Sequence, residues 1–187
     1  MRLYDFLVNN IFTYDKYTLL PIRDEDKYEI LNWRNSQIDI LRQQTPLTKV
    51  QQDNYFENVI SKIFEEKQPR QILWSFLFEG KLIGYGGLVH IDWEARHAEI
   101  SFLLSDDRNS DIDTFKKDWN VYLQLITDLA FIELGFHKIH TYAYNIRDYY
   151  FDVMYAQGFE KEGHLKDHIL INNQLTDILI LSKFNHK

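Results

Sequence analysis

Ala98-Glu99-Ile100-Ser101-Phe102-Leu103-Leu104 opens the stretch on which the fold turns. A polar run follows, Asp106 to Asp118, nearly free of large apolar residues. From Trp119 to Leu134 nearly every face is apolar, as in a helix buried against a sheet. Gly135 stops that helix, and Lys138 to Tyr144 alternates as a strand. Asn145, a short tyrosine-rich helix over Arg147 to Gln157, and Gly158-Phe159 complete the stretch. Strand, helix, strand, helix predicts a right-handed βαβα unit. Such a unit leaves one helix N-terminus pointing at whatever lies beside the first strand.

Upstream, Ile72 to Phe78 and Leu82 to Ile91 are rich in β-formers and meet at Glu79-Gly80-Lys81, which predicts a hairpin. Gly84, Gly86 and Gly87 inside the second of these strands mark a bulge or a close backbone neighbour. Before the hairpin, Thr48 with Gln51 reads as a capping box for a helix striped by Tyr55, Phe56, Val59, Ile60 and Ile63. An earlier helix is expected to run to about Ser36 behind Asp24 as cap, after a strand over Tyr17 to Ile22. Residues 1–16 read as an edge strand or a packed arm. Downstream, Phe159 to His164 and Ile169 to Ser182 read as strands, with a turn at Asn172-Asn173.

The 187 residues predict one domain spanning 1–187, with no repeat or linker and ample aromatic bulk for a core: 12 Tyr, 13 Phe and 4 Trp. There is no cysteine, so disulfides, thiolate metal sites and a cysteine nucleophile are excluded. The net charge of -7 and the lack of a Lys/Arg cluster argue against nucleic acid. No apolar run is long enough for a signal peptide or a membrane span. The expectation is a cytoplasmic protein. The histidines show no metal-ligand spacing, and no metal is expected.

With these elements in order, the chain resembles the GNAT superfamily of N-acetyltransferases, within it the branch of ribosomal-protein and amino-sugar acetyltransferases. The resemblance is carried by Leu20-Pro21-Ile22-Arg23, Trp33-Arg34-Asn35, Ile83-Gly84, Ala98-Glu99-Ile100, Ala130-Phe131 and Leu134-Gly135-Phe136-His137-Lys138-Ile139, then by Asn145, Gly158-Phe159, Glu162-Gly163 and Asp177. It implies an α/β (α+β) fold: a mixed, mostly antiparallel central sheet of about seven strands, splayed at the cofactor site, with helices on both faces. It implies acetyl-CoA as co-substrate and acetyl transfer to an amine. The chain departs from the pattern at one place. The glycine-rich turn expected before the long helix, Q/R-x-x-G-x-G/A, falls on Thr114, Lys117 and Trp119.

The same resemblance assigns site residues. The pantetheine arm would lie along Phe102, Leu103 and Leu104. The pyrophosphate would meet the helix start at Lys117, Asp118 and Trp119, with Asn145 and Tyr150 also on the cofactor. Glu99 is the expected base, since an alkyl ammonium with a pKa near ~10 must lose a proton before it attacks. The backbone amide near Leu103 would steady the oxyanion. Tyr155 is the expected acid, with Tyr150 as the other choice; the usual slot itself holds Met154. Trp33, Arg34 and Asn35 would line the acceptor pocket, where Arg34 suits an acidic group and His90 is a weaker base. The acceptor is expected to be a small-molecule amine, in particular a nucleotide-linked amino sugar. A protein N-terminus, or a catalytically dead binding module, are the other readings. A homodimer is permitted, not required.

Overall fold

The computed structural model describes residues 2–186. Eight strands form one sheet: β1 Phe12–Tyr14, β2 Tyr17–Pro21, β3 Ile72–Phe78, β4 Lys81–Asp92, β5 His97–Leu104, β6 Lys138–Tyr144, β7 Glu160–Ile171 and β8 Gln174–Phe184. They lie in the order β1-β2-β3-β4-β5-β6-β8-β7. Only β5 and β6 run parallel; every other pair is antiparallel. The expected mixed sheet is present, one strand larger because the N-terminal residues contribute β1. The arm before it is packed too. Tyr4 is fully buried, and its hydroxyl donates to the Leu73 carbonyl at 3.0 Å and accepts from the Leu73 amide at 2.8 Å.

The helices are α1 Lys27–Ser36, α2 Lys49–Tyr55, α3 Ser61–Ile63, α4 Asp106–Ser110, α5 Ile112–Asp128 and α6 Asp148–Ala156. A wide turn, Phe56–Ile60, joins α2 to α3. The capping box at α2 forms as read: the Gln51 amide donates to the Thr48 hydroxyl, and the Thr48 amide to the Gln51 side chain. The Asp24 cap does not form. Its carboxylate accepts from Arg2 at 2.6 Å, and α1 starts behind Asp26, whose carboxylate is taken by Arg23 and Ser75.

The largest correction concerns the polar run before the long helix. It is helical, as α4 and the first two turns of α5, so that α5 begins at Ile112 and not at Trp119. Three interactions hold it. The Asp111 carboxylate caps the Thr114 amide at 2.9 Å. Phe115 is buried and gives these turns an apolar anchor. Asp118, with no exposed surface, accepts from Arg108 Nη2 at 2.7 Å and from the Tyr17 hydroxyl at 2.7 Å.

The two faces of the sheet carry different helices. Phe76 and Phe102 stack toward α5, against Trp119 and Tyr122. Leu73, Tyr85 and Ser101 lie on the other face, opposite Ile30, Gln52 and Phe56 of the α1–α2 layer. α6 packs on α5 through Tyr150 against Trp119, their rings 4.9 Å apart.

Candidate active site

β5 and β6 pair at three positions only, His97 with Lys138, Ala98 with Ile139 and Glu99 with His140. Beyond these the strands part. β5 stays with β4 and β6 with β8, and a cavity of 290 Å³ opens between them. Glu99, Phe102, Tyr142 and Tyr150 line it, together with Arg34, Arg42 and Arg147.

Backbone direction along β5 decides which groups face the gap. A Cβ built on Gly84 would lie 2.7 Å from the Leu103 carbonyl, and one on Gly86 2.1 Å from the Ser101 carbonyl. Those carbonyls therefore point at β4, and by antiparallel alternation Ile100, Phe102 and Leu104 direct their polar groups toward the gap. The Leu103 amide expected for the oxyanion is turned into the β4 ladder; Phe102 offers the equivalent group to the gap. The Leu104 carbonyl already accepts from the Gln37 side chain at 2.8 Å. The Tyr122 hydroxyl donates to Ser101 at 2.8 Å and ties the strand to α5. This is why Gly86 carries no side chain: its Cβ would sit 2.4 Å from that hydroxyl.

Glu99 stands at the closed end of the gap, its side chain 13% exposed. It is ion-paired with Arg42, whose guanidinium lies 4.3 Å over the Tyr142 ring. His90 is not directly opposite, since Val89 holds that register. It sits exposed in a bulge with φ 49°, and its Nε2 still comes within 3.9 Å of Glu99. Arg34 donates to the Tyr85 hydroxyl at 2.7 Å and to Gln43 at 3.0 Å. It borders a second cavity, of 420 Å³, on the α1–α2 face. Val89 and Ser101 also line both cavities. The second is bounded by Gln51, Gln52, Gln71, Tyr55, Tyr85 and apolar side chains, and among the described residues no carboxylate lines it.

Tyr150 lines the gap from α6, alongside Tyr142 and Tyr144 of β6. Burial raises its phenol well above the ordinary tyrosine range; Arg147 opposes that and Glu99 reinforces it. It is thus a protonated donor at neutral pH. Tyr155 lies on the outer face of α6, 47% exposed, and Met154 is buried against Thr141. Of the two tyrosines expected as the acid, Tyr155 therefore lies outside the gap and Tyr150 lies in it. The helix periodicity turns position 155 away from α5 once 150 faces it.

Other expected site residues fall elsewhere. Trp33 borders a separate cavity with Glu29 and Phe78. Asn35 clamps the connection behind α1, donating to the Leu47 carbonyl and accepting from the Leu47 amide, both at 2.8 Å. Asn145 is exposed, its amide bonded to the Asp177 carbonyl at 2.9 Å.

Lys117, Asp118 and Trp119 lie inside α5, where their amides are spent on the helix. Lys117 is exposed, Asp118 is sealed by Arg108, and Trp119 is buried between Phe102 and Tyr150. The actual start of α5 carries the Asp111 carboxylate as cap and Asp113 in its first turn. A second anion is repelled there. The parted strands and the gap-facing Phe102 backbone fit a pantetheine arm, whereas the glycine cradle for its phosphates is missing. Arg42 and Arg147 also line the gap; neither was named from the sequence, where Arg42 is a lone arginine in a connection and Arg147 merely opens the short predicted helix.

A family model described as an acetyltransferase (GNAT) domain matches residues 19–180. Among solved structures, spermidine N-acetyltransferase from Vibrio cholerae, in complex with CoA and spermine, superposes with a TM-score of 0.80. It is 18% identical over 91% of this chain and 96% of that one. Ribosomal-protein-S5-alanine acetyltransferase from Vibrio fischeri gives 0.73 at 18% identity, over 96% and 98%. At these identities the likeness is one of fold. No curated protein matches the sequence.

Proposed function

We propose that this chain, which belongs to the acetyltransferase (GNAT) domain family, acetylates the amino group of a small molecule bearing both hydroxyls and an anionic group, such as a nucleotide-linked amino sugar. The family's donor is acetyl-CoA, which supplies the acetyl group as an activated thioester. The observation that carries the narrower reading is the acid-free second cavity beside Glu99. A polyamine needs carboxylates along its length. Here the lining offers glutamine amides and tyrosine hydroxyls, which suit sugar hydroxyls, and the Arg34 guanidinium, which suits a phosphate.

The proposal gives three groups at the gap a role each. Glu99 takes the proton from the acceptor ammonium, which displaces Arg42 from the same carboxylate. The Phe102 amide steadies the developing negative charge. The Tyr150 phenol protonates the departing sulfur.

The test is release of CoA thiol from acetyl-CoA in the presence of a nucleotide-linked amino sugar, a free amino sugar, spermidine or a peptide with a free N-terminus. The sugar nucleotide should be turned over best, and Glu99→Gln should slow that turnover by about 10²–10⁴-fold. Preference for spermidine would refute the cavity argument. Preference for the peptide would transfer the assignment to protein N-terminal acetylation. No turnover with any acceptor, together with no CoA binding, would leave a binding module without catalysis.

A further inference from the structure

An anion that reaches the gap meets far more positive charge than the chain's net -7 suggests. Three guanidiniums line it, from Arg34, Arg42 and Arg147, against the single carboxylate of Glu99. Two of the three face other partners. Arg42 is held by Glu99, and Arg34 bonds Tyr85 and Gln43 on the acceptor side.

Arg147 is placed differently. It immediately precedes α6, where the chain leaves β6, at the end of the gap where both parallel strands finish. Its Nη1 donates to the Asn109 side chain of α4 at 2.9 Å, a neutral partner. Its guanidinium carbon lies 5.1 Å from the Phe115 ring centre and 5.6 Å from that of Tyr150. Among the described residues no acid is ion-paired with it. A guanidinium laid against two rings, one donor anchored on a neutral amide, is a preorganised fork with free N–H groups. Its surroundings differ from those of the α5 start, which already carries Asp111 and Asp113.

We propose that Arg147 is the phosphate anchor of this site: the diphosphate of CoA is held by a side chain at the mouth of the gap, not by backbone amides at a helix start. This rests on acetyl-CoA being the donor. It explains how the chain dispenses with glycines at 117 and 119. Glycine serves where backbone must approach a phosphate; a long side chain reaches out to one instead. The two added turns of α5 are then part of the device, since Phe115 supplies one of the rings on which the guanidinium lies.

A side-chain anchor can be deleted by substitution, whereas a backbone cradle cannot, and calorimetric titration separates the two. Wild type, Arg147→Gln and Arg147→Lys would each be titrated with CoA and with pantetheine, which lacks the phosphates. The expected result is that Arg147→Gln binds CoA about 10- to 100-fold more weakly than wild type while its pantetheine affinity is unchanged. Arg147→Lys, keeping the charge but losing the fork, should fall between. CoA affinity in Arg147→Gln equal to wild type would overturn the proposal. So would an equal loss for CoA and pantetheine, which would make Arg147 a packing residue. A wild-type protein that binds neither compound would remove the donor reading and this anchor with it, an outcome distinct from the other two.

Discussion

Replacing Asp118 by asparagine tests why the turns ahead of Trp119 are helical. The side chain is fully buried, so its charge is offset by Arg108 and by the Tyr17 hydroxyl, both on other elements. Asparagine keeps the volume and can still accept one hydrogen bond. It leaves the Arg108 guanidinium, 20% exposed, beside a neutral amide. Breaking one partner of a buried pair costs roughly 3–5 kcal/mol, and the partial exposure of Arg108 puts this case at the low end, about 3 kcal/mol. For a chain of this size that lowers the melting temperature by about 6–12 °C. The assay is thermal unfolding followed by circular dichroism, repeated on Arg108→Met and on Arg108→Met with Asp118→Leu. The double variant should be more stable than the sum of the single losses predicts, because no unpaired charge is left behind. A melting temperature for Asp118→Asn within about 1 °C of wild type would refute the reasoning.

Tyr150→Phe should reduce acetyl turnover, whereas Tyr155→Phe should leave it unchanged, read as initial rates at saturating donor; the reverse order would restore Tyr155 as the acid. His140 is pushed down from 6.5 to about 4, chiefly by burial and then by Lys138 and His97. Above pH 6.5 it is neutral folded and unfolded alike, so it adds no slope. Between pH 6.5 and 4 the unfolded chain takes a proton that the folded one refuses, and stability falls as pH falls. The unscreened figure is about 3 kcal/mol, and the ring's partial exposure reduces it to about 1–2 kcal/mol. Urea unfolding across that window should show the fall, and His140→Gln should flatten it. Thr48→Ala should cost about 1 kcal/mol through loss of the α2 cap, measured by the same titration.

Local signals in the sequence were read correctly where a few adjacent residues decide the outcome. Glu79-Gly80 turns with φ of 50° and 79°, Asn172-Asn173 turns with 48° and 62°, and Thr48 caps with Gln51. The start of α5 was misread because Ile112 to Asp118 carries only one large buried apolar side chain. Its helix is secured by Asp118 reaching Tyr17, 101 residues away, which no window of sequence displays. Site residues divide along the same line. Glu99 and Tyr150, which line the gap, were named from the sequence because the resemblance supplied them. Arg42 meets Glu99 across 57 residues, and Arg147 is aimed at the gap only through the packing of α4, α5 and α6. Trp33 and Asn35 were assigned together with Arg34 from the Trp33-Arg34-Asn35 run that the resemblance supplied, and a helix turns each successive side chain by about 100°.

The three-position seam between β5 and β6 divides the sheet into a five-stranded and a three-stranded plate. Ladder pairing between the plates ends at Glu99, and beyond that line the two are joined by side-chain packing, Trp119 lying between Phe102 and Tyr150. Any molecule that spans both plates beyond the seam does the work of the missing ladder. Its arrival should therefore register first as slower amide exchange along the seam, at Ala98 and His140, before it registers in any change of shape.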